Sequence, residues 1–177
     1  SRHGLAMQPY PTAFGAKNLT AQRTAITIEK ASYRADITSG LVIEKGPKGD
    51  KRYRIDHALG GKNVYYFLTP LPRGRLQTLP VAYDVKTKTW FDTAGSGVRH
   101  FPGPERDRPI SWRDSAYTFN TGCYNCHVSQ LTSNYTLTTD TYRTTWREPG
   151  INCETCHGPS AEHNRVCLNA SKGTVPK

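Results

Sequence analysis

Between residues 25 and 92 the chain is built of short β-branched and aromatic runs broken by turn residues: "AITIEK", "GLVIEKGPKGDKRYRIDHAL", "KNVYYFLTPLP" and "RLQTLPVAYDVKTKTWFD". Runs of that length and make-up predict strands joined by hairpins. "GPKGD" between two alternating runs predicts one hairpin loop, and "DVKTKT" ahead of Trp90 and Phe91 predicts another. Pro70, Pro72 and Pro80 suit sheet edges and strand ends, because proline gives a ladder no N–H. The whole reads as an antiparallel sheet. Residues 1–24 mix Gly, Pro and small polar residues and read as a lead-in, and residues 93–115 as a polar connection closing a β-rich scaffold over 25–115. From 116 to 177 the pattern is loop-rich with short helices, among them "AEHNRVCLNA" with Ser160 as its N-cap. On that helix positions 163, 166 and 167 share a face, which predicts His163 and Cys167 turned inward. The fold class expected is α+β: an N-terminal antiparallel β-sheet segment followed by a loop-rich region with short helices.

Composition narrows the picture. At 177 residues with 36% hydrophobic content, the chain has the length for one domain but few apolar residues to fill it. No apolar run is long enough to cross a bilayer, and no secretory signal opens the sequence. The formal net charge is +10. Its basic residues are scattered, as in Lys45, Lys48, Lys51, Arg52 and Arg54, then Arg73 and Arg75, then Arg106 and Arg108. Without a basic helix or a nucleic-acid motif, they read as a solvated surface that attracts acidic partners rather than as a nucleic-acid site.

Candidate chemistry lies in two segments, "TGCYNCHVSQ" and "GINCETCHGPSAEH". They align as Cys123, Cys126, His127 and Cys153, Cys156, His157, each a C-x-x-C-H pattern of covalent c-type haem attachment. Residues i, i+3 and i+4 share one helical face, so both thiols reach the vinyl groups along one porphyrin edge while the imidazole swings beneath the iron. A redox dithiol, or two knuckles closing a four-thiolate zinc site, would require no histidine after either pair. Two covalently attached haems c are expected, with His127 and His157 as proximal ligands. Each porphyrin supplies an apolar body, which makes the low hydrophobic content compatible with order. Haem c is attached on the outer side of the bacterial membrane, so a periplasmic or extracellular location follows and a leader is expected to have been removed. Cys167 is left over and reads as a small buried residue.

The second axial position decides between electron transfer and an open iron. His3, His57, His100 and His163 remain, and Met7 is the one methionine. Bis-His ligation is therefore the economical expectation. His163 ranks first as a distal ligand, then His3 and His100, while His57 in "YRIDHAL" reads as a sheet histidine.

The "SRHGLAM" opening, "LGGKNVYYFLTPLPRGRLQTLPVAYD", "FNTGCYNCHVSQLTSNY" and "TTWREPGINCETCHGPSAEH" together resemble the multihaem cytochromes c of many bacteria, some with tetratricopeptide repeats downstream. The "CETCHGPSAEH" element also resembles the haem segments of cytochromes related to hydroxylamine oxidoreductase. The resemblance implies distal-ligand roles for His3 and His163. It also implies an upstream C-x-x-C-H that this sequence lacks, so the chain is either a segment of a larger protein or shares haems with neighbouring chains. The expected function is electron transfer with other multihaem cytochromes as redox partners. A reductase or oxidase of a small nitrogen or sulfur compound with one open iron, and a haem-conducting filament or complex subunit, are the alternatives. No nucleic acid and no transmembrane segment enter any of the three.

Overall fold

The structure, a computed structural model, describes residues 7–10, 15, 17–60, 62–96 and 109–172. Two antiparallel sheets and a motif-bearing region lie in layers. The first sheet orders its strands β2 (Ile26–Ile28), β3 (Ala31–Asp36), β4 (Leu41–Gly46) and β5 (Gly49–Arg54). The second orders β1 (Met7–Pro9), β6 (His57–Gly60), β7 (Val64–Leu71), β9 (Val81–Asp84) and β10 (Thr89–Asp92), with β8 (Arg75–Thr78) also paired to β7. Both expected hairpins form: β4 and β5 pair from Gly46↔Gly49 to Leu41↔Arg54, and β9 and β10 pair from Asp84↔Thr89 to Val81↔Asp92. Pro70 falls near the end of β7 opposite Leu76, and Pro80 falls at the break between β8 and β9. The α+β class expected from the pattern is the class found.

Alternation along β7 explains the layering, since successive side chains point to opposite faces. Tyr65 and Phe67 face the first sheet, in a core with Tyr33, Val42, Leu79, Val81 and Trp112. Tyr66 and Leu68 face the other way, toward Met7, Leu59, Phe119, Val128 and Trp146. The central sheet is therefore buried on both faces. Its second face is the floor on which the two motifs sit.

The polar stretch after the first motif was expected to be a loop and instead folds back as an irregular hairpin. β11 (Val128–Ser129) pairs with β12 (Glu148–Pro149), and the bridges Thr132↔Thr145 and Thr136↔Thr141 nest inside that pair. The hairpin rests on the turn between β7 and β8. Tyr142 N donates to Arg73 O at 2.9 Å. Gly74, at φ +72°, lies so close beneath that a Cβ there would stand 2.0 Å from Tyr142 O. Arg73 and Asp140 close the contact with an ion pair at 2.7 Å.

Candidate haem-binding site

The first motif enters on a buried polar anchor. Gln77 Nε2 donates to Trp112 O at 2.6 Å and Asp114 O at 2.8 Å, and Gln77 Oε1 accepts from Thr118 Oγ1 at 2.9 Å. Asn120 Oδ1 accepts from Leu76 N at 2.7 Å, while Asn120 Nδ2 donates to Thr144 Oγ1 at 2.7 Å. Burial makes such groups costly unless satisfied, so both amides fix the register of the segment that carries the motif. A π-helical turn, Phe119–Cys123, then passes into helix α1 (Tyr124–His127). Cys123 is half-buried and Cys126 exposed. Burial pushes the Cys123 thiol up in pKa, with a bond from Thr78 acting in the opposite direction.

The second motif forms helix α2 (Cys153–His157), capped by the preceding Asn152 together with the spacer residue Thr155. Asn152 Oδ1 accepts from Thr155 N at 3.1 Å, and Thr155 Oγ1 accepts from Asn152 N at 3.3 Å, a reciprocal capping box. Gly158 at φ +76° ends the helix. Cys153, Cys156 and His157 are exposed.

A single side chain ties the two motifs together. Ser129, fully buried two residues after His127, donates to Gly150 O at 2.8 Å and accepts from Asn152 N at 3.0 Å. Its Oγ also lies 2.7 Å from Thr155 Oγ1, inside the second motif. Gly150 N donates to His127 O at 2.7 Å. The hairpin thus delivers the second motif to the end of the first.

The donor set fits covalent haem. All five cysteines are free thiols, and each motif presents two of them with a histidine on one helical turn. Among the described residues no group of three or more His, Cys, Asp or Glu converges as a metal cage would require. Exposed apolar side chains occur on the hairpin and on helix 161–171. Tyr135, Leu137 and Leu168 are 40%, 81% and 60% exposed, the kind of surface a porphyrin covers.

The remaining histidines divide. His3 and His100 lie outside the described residues. His163 is on helix α3 (Ala161–Ser171), exposed, with Nε2 3.6 Å from Cys167 Sγ. Cys167 is exposed too, which corrects the expectation that it is buried and that this pair faces the interior. Apolar residues on α3 are consecutive, Val166, Cys167 and Leu168, instead of spaced three and four apart, so no buried stripe forms. Glu154 holds the start of α3, accepting from Ser160 Oγ at 2.6 Å and Ser160 N at 2.9 Å. These bonds, the hydroxyl's first, keep its carboxyl below the usual range. His57 is largely buried on the face of β6 that looks toward the motifs, and burial lowers its pKa while Asp56 opposes the shift.

Lys45, Lys48, Lys51, Arg52 and Arg54 all lie on or between β4 and β5, in the sheet on the far side of the central sheet from the motifs. Arg143 and Arg147, in the hairpin between the motifs, are exposed. No described helix is long and apolar enough to cross a membrane.

Gln77, Asn120, Ser129 and the Asn152 cap escaped the reading of the sequence. Of these only the last has a local signature, an N-x-x-T that overlaps the second cysteine pair.

Residues 105–158, which contain both motifs, match the family model described as cytochrome c554 and c-prime. No curated protein matches the chain. Among solved structures, an outer cell wall cytochrome, OcwA, is similar with 16% identity and a TM-score of 0.49, over 96% of this chain and 29% of that one. An undecahaem cytochrome from the S-layer of Carboxydothermus ferrireducens is similar with 17% identity and a TM-score of 0.46, over 92% of this chain and 18% of that one. The chain therefore spans less than a third of either structure. Its match over 105–158 is consistent with the bacterial multihaem cytochrome c family.

Proposed function

We propose that this chain is a dihaem electron-transfer unit of an extracytoplasmic multihaem cytochrome c. The observation that carries the reading is the junction at Ser129, whose hydroxyl holds Gly150, Asn152 and Thr155 and so fixes one C-x-x-C-H helix against the other. A carrier that passes electrons from one centre to the next needs its centres held at a constant separation, and this junction supplies that rigidity.

Each haem supplies a one-electron iron couple whose potential follows axial ligation and burial. The chain's residues attach and orient it. The thiols of Cys123 and Cys126, and of Cys153 and Cys156, would hold the two porphyrins as thioethers, each S–H giving sulfur to one vinyl carbon and hydrogen to the other. His127 and His157 would hold the irons. Phe119, Val128 and Trp146 form a dry wall behind the first motif. Partners are other redox proteins, in keeping with a basic surface.

Mass spectrometry of the matured protein tests this reading. Two covalent haems per chain are expected, and replacing Cys153 and Cys156 by alanine removes one of them. A zinc-loaded protein without haem contradicts it.

A further inference from the structure

His57 belongs to neither motif, yet the fold turns it toward the first. It opens β6 opposite Pro9 and Leu68, and alternation puts its ring on the face that carries Leu59 and Leu68. There it meets Trp146 edge-on, with centroids 5.5 Å apart. Trp146 meets Phe119 at 6.0 Å, and Phe119 begins the turn that ends in Cys123. Cys123, Tyr124 and Trp146 all border the same apolar cluster. The imidazole therefore stands at the rim of the cluster into which the first motif is set.

Asp56 prepares this ring for ligation. Its backbone is fixed on both sides, with Asp56 N donating to Leu68 O at 2.8 Å and Asp56 O accepting from Tyr10 N at 2.9 Å. One carboxylate oxygen accepts from Arg54 at 2.6 Å, and the other lies 2.9 Å from His57 Nδ1. That approach is off the line of a hydrogen bond, so the buried Nδ1 has no hydrogen-bond partner as the ring stands. A turn of the ring would align Nδ1–H with the carboxylate and leave the lone pair on Nε2. Metal-ligating histidines use this arrangement, in which a carboxylate on one ring nitrogen fixes the tautomer and raises the basicity of the other. Trp146 and the sheet restrict the ring's other motions.

We propose that His57, through Nε2, is the second axial ligand of the haem held by Cys123, Cys126 and His127, with Asp56 as its positioning residue. The proposal rests on the dihaem reading and names the residue that closes one of its irons. It differs from the ranking drawn from sequence, which placed His163, His3 and His100 ahead of a strand histidine.

The experiment uses the full matured chain, with covalent haem counted by mass before any spectrum is taken. A wild-type protein without haem would overturn the dihaem reading and this inference with it. With two haems attached, His57→Ala should convert one of two ferric low-spin signals to high-spin, and added imidazole should restore it. His57→Met covers the case in which alanine does not mature, and should keep the haem low-spin while raising its midpoint potential. Asp56→Asn should also raise that potential without changing the spin state. The inference is overturned if the His57→Ala spectrum equals wild type, or if His57→Met leaves both potentials in place. Loss of the same low-spin signal in His3→Ala, His100→Ala or His163→Ala instead would assign the position elsewhere.

Discussion

Ser129 shows how much one hydroxyl can hold when its partners are fixed. It is fully buried and serves Gly150, Asn152 and Thr155 together. Removing it strands polar groups that cost about 1–3 kcal/mol when left unsatisfied. Ser129→Ala should lower stability to urea by about that amount, and loosen the second motif before the first in hydrogen exchange. Nothing in the sequence marks Ser129, because its partners are 21 to 26 residues away and come together only when the hairpin closes. The two C-x-x-C-H motifs, by contrast, are legible because cysteine and histidine at positions i, i+3 and i+4 meet within one turn. Gln77 and Asn120 follow the rule of Ser129, since their amides reach 35 and 44 residues along the chain. Local chemistry can be read from sequence, and long-range polar closure cannot.

At the scale of elements, the strands from Ile26 to Asp92 followed the pattern of short β-branched runs and turn residues closely. The hairpin between the motifs did not, because its nested threonine pairs, Thr132↔Thr145 and Thr136↔Thr141, carry no apolar period. Helix α2 rests on its capping box, and Asn152→Ala should cost about 1 kcal/mol, measurable as a lower melting temperature. Helix α3 hangs from Glu154, whose carboxyl is held below its ordinary pKa by Ser160. A depressed pKa means that the bond's contribution is complete above the ordinary carboxylate range and is lost as pH falls through the lowered value. Exchange protection of the first turn of α3 should therefore fall on acidification, and Glu154→Gln should remove that pH dependence. Protection that does not change with pH in the wild-type protein would show that Glu154 does not hold the helix.

In the whole molecule, the segment that leads to the first motif is fastened to the first sheet by Arg113. Its guanidinium bonds Glu44 and Tyr53 and lies 4.4 Å from the centroid of the Trp112 ring. Trp112 is itself 3% exposed, although a polar Gly- and Pro-rich context gave no sign of its burial. Glu44 is nearly buried, while the Arg113 side chain is 42% exposed. Arg113→Ala should therefore cost about 1–2 kcal/mol, less than the loss of a fully buried pair, because solvent screens the exposed partner. Urea titration reads that value, and Arg113→Lys should recover only part of it, because lysine lacks the planar fork. The layered arrangement of basic sheet, shared central sheet and motif floor places the charge of β4 and β5 away from the motifs, so mutating Lys51 and Arg52 together should leave haem potentials unchanged.

The central claim is that both motifs carry haem for electron transfer. Its most direct test is the optical and electron paramagnetic spectrum of the purified protein, ferric and then reduced, before and after addition of nitrite or carbon monoxide. Two low-spin haems per chain that ignore both ligands are the predicted result. A high-spin fraction that shifts on ligand addition would contradict it in favour of catalysis at an open iron, and the absence of any haem band would remove its foundation.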